Sequence, residues 1–548
     1  MNADMKGDYA DTASRTRPGS AYDVVVIGAG LNGLVAAAYL AKGGARVLVV
    51  ERRGTIGGST TTEEFAPGFR ADTCRHDAGA LSMDIVRDLD LSGHGLQLAS
   101  HASQVVAPGT NGELLGFGSG GPGIESLRRL SARDAAAWPA FAARVEALCG
   151  FLNRMYGAPV PSPDASSRSD LMTAARLGVT FRGLGKRNMV ELLRVLPMSV
   201  AELLDDTFET PVLKGALATR GVMHLCQGPR AAATAFNFLH HQIGGPAGAL
   251  SRPSFPIGGL GALAQSIAAA ARAAGAEVRV NATVAQVLVR GGEARGVVLE
   301  SGEDISARSV VSGASPRQTF LELCDPTLLA PEFVRAVGNI RYRGAWAKVN
   351  LALDRAPAIP SATGVVGPGS GHVRGIVIGP ELNYLERAYD DAKYGRTSKA
   401  PWLEAIVPTD LDATLAPAGK HVMTVHVQYA PYRLRDAEWN AAARDALGDL
   451  VVATLAQHVA GLADSVLHRQ VLTPLDLEQA YGLPEGHAYD GEMMLDQVMF
   501  MRPVPECSHY RTPVRGLYVC GSGAHPGGGI AGGVGVNAAR TILADRKG

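Results

Sequence analysis

The apolar positions of this chain fall into three blocks that share one rhythm, a short buried strand followed by a helix. In the first block, Tyr22 to Glu51, the run Val24 to Ile27 is continuously apolar, as in a parallel strand buried on both faces. An Ala-rich helix to about Lys42 follows, and then a second strand, Arg46 to Val50. The second block, Phe255 to Pro316, spaces Leu263, Ile267 and Ala271 along one helical face. It then predicts strands over Glu277 to Val280, Val284 to Val289 and Ala294 to Leu299, and "ARSVVSGAS" reads as a further buried strand running into a glycine turn. In the third block Leu517, Tyr518 and Val519 form a strand that breaks into a glycine-laden loop around His525-Pro526 before a helix begins. Between the blocks, Arg176 to Ser199 mixes Arg176, Arg182, Lys186, Arg187 and Arg194 with leucines. That stretch is either a solvated helix face over a core or a surface that rests on a membrane, a peripheral contact. No run of about 18 apolar residues predicts a membrane span, and no repeat at solenoid periods is visible.

Composition narrows the class. A chain of 548 residues exceeds one small core, so two or more intertwined domains are expected. With 46% hydrophobic and 19% charged residues, and 52 basic against 52 acidic, the profile is globular and gives no general pull toward nucleic acid. Six cysteines without a C-x-x-C pair argue against a metal site and a redox-active disulfide, and fit thiols in a reducing, cytoplasmic setting. Residues 1–20 are polar and lack a secretory apolar core, which predicts a short disordered tail. Nothing here decides between a monomer and a homodimer.

The chemistry begins in the first block. Gly28-x-Gly30-x-x-Gly33 sits between strand and helix, with Leu31 and Asn32 at the helix start and Glu51 closing the second strand. Gly28 makes the tight turn, Gly30 admits a pyrophosphate to the backbone, and Gly33 lets helix and strand pack closely. The phosphate then meets the helix N-terminus. Glu51 is placed to accept from a ribose hydroxyl and repels a 2′-phosphate, which leaves NAD or FAD.

The continuation from Glu51 to Phe69 adds Gly57-Gly58 six and seven residues after the acid, and this resembles the E-x-x-x-x-x-G-G extension of FAD-binding amine oxidases and phytoene desaturases. The common pattern then has Arg, where this chain has Ser59. Arg52 and Arg53 are nearby charges that either contact the cofactor or form an exposed basic corner. In that superfamily a strand valine meets the adenine edge through its backbone, which the resemblance carries to Val284. The third block also matches it, with a strand, then G-x-G-x-H-P-G-x-G, then a helix aimed at the flavin. Gly521, Gly523, His525, Pro526, Gly527 and Gly529 fall in order, with Ser522, Gly528 and Ile530 interleaved. Donors and a helix N-terminus at that edge suit a flavin that gains negative charge on reduction. Stretches such as "TEEFAPGF" and "LDQVMFMRPVP" narrow the resemblance to the phytoene-desaturase-related branch.

The resemblance implies an α/β fold, a Rossmann-like FAD-binding domain of amine-oxidase type interleaved with an α+β substrate domain. Residues 21–95, 250–335 and 485–548 would form the FAD domain, and 96–249 with 336–484 the substrate domain. It also implies a flavin-dependent dehydrogenase or desaturase acting on a hydrophobic small molecule. Amine oxidation, redox-neutral double-bond isomerisation and an assembly role with little turnover stand as alternatives. No second strand–GxGxxG–helix unit seats a nicotinamide, so quinone or oxygen is the expected electron acceptor. Lys348 is a catalytic candidate, either holding a water at the flavin as a strand lysine does in amine oxidases or facing solvent. His525 is the other, either at the flavin or held in its loop by Pro526, and His240-His241 is a weaker third.

Overall fold

Val24, Val25 and Val26 have no exposed surface because the strand that carries them, Tyr22–Ile27, is central in its sheet and its faces pack into the large apolar core. This computed structural model describes residues 22–75, 79–100, 104–118, 120–160, 168–250, 254–360 and 373–547, so the expected tail over residues 1–20 lies outside them. Tyr22–Ile27 runs parallel to Val47–Val50 on one side and to Asp304–Ser312 on the other. Glu277–Arg279 extends the sheet beyond Val47–Val50, and Leu517–Val519 joins Asp304–Ser312, both in parallel. Two antiparallel strands, Glu293–Leu299 and Val284–Arg290, complete this seven-stranded sheet. Stretches hundreds of residues apart thus meet side by side, with their C-terminal ends opening on one crevice, where ligands bind in open α/β sheets.

Helix Leu31–Lys42 covers the sheet and packs against Leu260–Ala273 and Gly533–Asp545. Glycine sets both approaches. A Cβ on Gly33 would stand 2.2 Å from the Gly28 carbonyl oxygen, and one on Gly535 2.3 Å from that of Asn32.

A second, eight-stranded sheet forms the other body, in the order Val466–Leu472, Trp346–Leu353, His421–Gln428, Trp402–Ile406, Val373–Ile378, Gln104–Pro108, Leu114–Gly118 and Gly121–Pro122. Its strands alternate between two cores. Ala347, Val349 and Leu351 face the helix Ala441–Ala456, whereas Trp346 joins the helices Pro211–Val222 and Thr234–Gln242 on the opposite side. The helix Ala132–Tyr156 is long and apolar enough to cross a membrane by length and composition. It buries Trp138, Phe141, Leu148 and Leu152 in that second core, and Asp134 accepts from the backbone N–H groups of Glu209 and Thr210. The basic stretch splits into two helices, Arg168–Gly183 and Gly185–Val195, at Gly185, whose φ is +74°.

Candidate active site

Where the first sheet ends, the backbone turns back on itself. Gly28 takes φ +90°, and the Gly57 N–H donates to the Ala29 carbonyl at 2.8 Å, laying the second glycine pair against the first loop. Glu51, 6% exposed, locks this corner by accepting from the N–H of Ala29 at 2.8 Å and of Arg53 at 2.9 Å. A cavity of about 360 Å³ opens above it. Gly28, Gly30, Leu31, Asn32 and Gly33 line one end, with Glu51, Arg52, Arg53, Gly57, Gly58, Ser59 and Val284 around it. Gly521, Ser522, Gly528, Gly529 and Ile530 of the C-terminal loop close the other end.

Pro526 and Gly527 are not in its wall, nor is either catalytic candidate. His525 is fully buried against Tyr156, its Nε2 donates to the Met155 carbonyl at 3.2 Å, and burial pulls it down to about 4, so it is a neutral packing group. Lys348 is 1% exposed, so the solvent-facing alternative falls. It stands opposite His426 in the strand register, on the face that carries Trp346.

Several wall residues carry no sequence signal. Arg75 and Asp490 come from loops, and Gln318 and Tyr481 from the last residues of the short helices Pro316–Gln318 and Pro474–Tyr481, so their contacts depend on the assembled fold. Burial pushes Asp490 up to about 7 despite the positive charge of Arg502. Arg502 is itself 2% exposed, and burial lowers it to about 10. Its guanidinium donates to the carbonyls of Ser522 (2.9 Å), Gln497 (3.2 Å), Gly491 (3.2 Å) and Tyr489. This one side chain ties residues 489–497 to the glycine loop.

Arg75 and Gly529 line both the large cavity and a second, smaller chamber of about 40 Å³. His224, His240, His241, His426 and Tyr489 surround it, with Cys74, Arg220 and Gln242. Arg220 forms a buried bidentate pair with Glu404, 2.7 Å at both contacts. The Cys74 thiol is pushed up to about 12 by burial, which removes it as a nucleophile at neutral pH. The hydrogen bonds fix the imidazole tautomers. His240 Nε2 donates to the Gly528 carbonyl at 2.8 Å, leaving Nδ1 to accept from the Tyr156 hydroxyl at 3.0 Å. His241 Nδ1 donates to the Asn237 carbonyl at 2.9 Å, so its Nε2 accepts from the Tyr489 hydroxyl at 3.0 Å. Tyr489 is set beside the C-terminal loop by glycine, because a Cβ on Gly528 would stand 2.1 Å from its ring.

The model of the flavin containing amine oxidoreductases matches residues 31–543. The chain belongs to that family. Pyridine nucleotide-disulfide oxidoreductase domain-containing protein 2 of Rattus norvegicus is 38% identical over 96% of this chain and 94% of its own. One of the limonene dehydrogenase subunits of Castellaniella defragrans is 29% identical over 95% and 94%. Phytoene desaturases align with half of the chain, in keeping with the branch that the motifs indicate. The structure of cyclohexylamine oxidase from Brevibacterium oxydans shares the fold with a TM-score of 0.59 at 16% identity, covering 96% of this chain and 100% of that one.

The cofactor of this flavin amine oxidoreductase is FAD, and the residues present fit it. A Cβ on Gly30 would meet nothing within 4 Å, so the glycine leaves open space where the pyrophosphate belongs. Arg53 Nη1, a donor, is buried without a hydrogen-bond partner in a residue that lines the cavity. Gly28, Gly30 and Asn32 would hold the phosphates, Glu51 the ribose, Val284 the adenine side, and the Gly521–Ile530 loop the ring system. Arg53 pairs with Glu63 and lies over the Tyr481 ring at 4.7 Å, which is a charge beside the cavity where Ser59 replaces the common Arg.

Proposed function

We propose that this protein is an FAD-dependent dehydrogenase that removes a hydride from a C–H bond of a largely apolar small molecule, leaving a double bond. FAD supplies the two-electron acceptor, and quinone or oxygen takes the electrons onward. The observation that carries the reading is the junction at Arg75 and Gly529, where the cofactor cavity meets a second chamber that could receive the reacting carbon beside the flavin. The family relationship supports it, as does the limonene dehydrogenase relative that aligns over 95% of this chain. Amine oxidation draws no support from the chamber, whose described lining contains no carboxylate to hold an ammonium group.

The proposal includes a place to meet an apolar substrate. Five of the eleven large apolar side chains exposed among the described residues are Leu171, Met172, Val179, Val190 and Leu193. They share the outer faces of Arg168–Gly183 and Gly185–Val195 with Arg176, Arg182, Lys186 and Arg187. That combination suits the surface of an anionic bilayer.

The anaerobic absorption spectrum of the purified protein, before and after NADH or NADPH, tests the core of the reading. Flavin bands that nicotinamide leaves unbleached are expected. Absence of flavin bands after reconstitution with FAD overturns it, and rapid bleaching would make the protein a nicotinamide-driven reductase.

A further inference from the structure

The chamber beside the flavin cavity sets Arg75, Arg220 and several histidines among apolar residues such as Met223 and Leu250, where a hydrocarbon site would be apolar throughout. His224 is the clearest sign. It is 7% exposed, and its Nδ1 is buried without a hydrogen-bond partner. The rest of the residue is pinned. Its N–H donates to Gln428 Oε1 at 2.9 Å, and its carbonyl accepts from His487 Nε2 at 2.9 Å. Its ring is packed against Trp346, His426 and Tyr489 at 4.8–5.0 Å. Its backbone is held at φ +59°, a conformation that costs a non-glycine residue about 1 kcal/mol or more and that clusters at ligand sites. A buried polar atom without a partner costs about 1–3 kcal/mol, and here it belongs to a residue that lines a cavity, as Arg75 does.

The second sign is the direction of the Tyr489 hydroxyl. Since His241 Nδ1 donates to the Asn237 carbonyl, the phenol points its proton at His241 Nε2. The Tyr489 oxygen is therefore an acceptor toward the chamber side, and His241 can take the phenolic proton as the oxygen gains another. The same hydroxyl sits 3.2 Å from where a Cβ of Gly529 would be, and Gly529 also lines the cofactor cavity. A proton acceptor is thus placed at the junction of the two cavities.

Neither feature serves an unactivated hydrocarbon, whose C–H bonds a phenol–imidazole pair cannot deprotonate. Both serve a C–H bond acidified by a neighbouring carbonyl. We propose that the chamber receives the carbonyl or carboxylate end of an amphipathic substrate, with His224 and Arg75 holding the oxygen and Tyr489 accepting the α-proton through its pair with His241. This rests on the FAD-dependent dehydrogenase reading and names its substrate class. The step balances as an α,β-dehydrogenation. The α C–H bond breaks and its electron pair becomes the second bond of C=C. The β-hydrogen leaves with its pair as hydride, for which FAD held in the adjoining cavity would supply the acceptor. The α-proton goes to the Tyr489 oxygen, and the phenolic proton passes to His241.

The test uses the FAD-loaded protein and four probes on one scaffold: 3-phenylpropanoate, 4-phenyl-2-butanone, 3-phenylpropylamine and propylbenzene. Binding is read by titration calorimetry and by perturbation of the flavin absorption bands. The carboxylate or the ketone is expected to bind at least about tenfold more tightly than the amine and the hydrocarbon, as one good hydrogen bond would give. His224→Asn, a residue type that tolerates positive φ, should remove that preference while flavin content stays unchanged. Exchange of the ketone's α-protons in D2O, followed by NMR, reads the base without any redox turnover. Tyr489→Phe should lower it by about 100-fold or more and leave ketone binding nearly intact, which a merely structural role for the hydroxyl would not do. Tighter binding of the amine or hydrocarbon, no discrimination at all, or exchange indifferent to Tyr489→Phe overturns the inference. If the flavin bands themselves are missing, the dehydrogenase reading fails first.

Discussion

Asp490 and Arg502 show how single residues are tuned by burial in this protein. Asp490 lines the cofactor cavity, and desolvation lifts its carboxyl from 3.8 to about 7. The folded state therefore holds this proton more tightly than the unfolded chain does. Stability from this group is fully present below about pH 4 and is lost as pH rises to about 7, because the unfolded state ionises first. The largest possible effect is about 4 kcal/mol. Asp490→Asn should flatten the slope of unfolding free energy between pH 4 and 7 and gain stability relative to wild type at pH 8. Guanidinium titrations of the FAD-free protein at several pH values read this directly, and parallel curves for the two proteins would show that Asp490 stays ionised. Arg502 works by geometry instead, spending its donors on backbone carbonyls of two segments. Neither role was legible in the sequence. Both residues stand in loops with no periodicity, and their effect comes from burial among partners that only the assembled fold supplies. The glycines and Glu51 were legible because a dinucleotide fold demands those residue types at fixed spacing.

At the scale of elements, the three blocks of apolar rhythm became the strands and helices of one sheet, because a strand buried on both faces must be apolar throughout. His525 shows where motif spacing falls short. It sits within the matched C-terminal pattern, yet its ring turns toward Tyr156 and Met155. Spacing places a backbone but does not aim a side chain. Gly30 and Gly33 of the first motif separate binding from structural roles. Gly33→Ala would put a methyl 2.2 Å from the Gly28 oxygen, forcing the helix Leu31–Lys42 off its strand. We expect a loss of about 2 kcal/mol or more in the FAD-free protein. Gly30→Ala places its methyl in open space, so the FAD-free protein should melt within a few degrees of wild type and yet fail to retain FAD. Thermal melts of both variants with and without FAD distinguish the two. Equal destabilisation of both FAD-free variants would show that Gly30 is needed for the fold itself.

For the whole molecule, equal numbers of basic and acidic residues, 52 each, give no overall attraction to a charged surface, so any such attraction must be local. The outer faces of Arg168–Gly183 and Gly185–Val195 provide it. Between Leu171 and Leu193 the sole acid is Glu191, and Arg144 and Arg194 already neutralise it. Arg176, Arg182, Lys186 and Arg187 remain, interleaved with exposed apolar side chains, and each cation near an anionic surface contributes about 1 kcal/mol. The same helices pack Phe181 and Leu192 onto the core that also contains Met223 and Tyr489 of the chamber, so a bilayer bound there would lie against the body that carries the chamber. The protein should co-sediment with vesicles containing phosphatidylserine and stay in solution with pure phosphatidylcholine. Val179→Glu with Leu193→Glu should weaken the binding at any salt concentration, because these changes remove apolar burial and add repulsion. Arg182→Gln with Lys186→Gln should weaken it chiefly at low salt, where unscreened charge counts most. Equal partitioning onto both kinds of vesicle, or indifference to both pairs of changes, would mean that this face meets no bilayer and that the substrate arrives from solution.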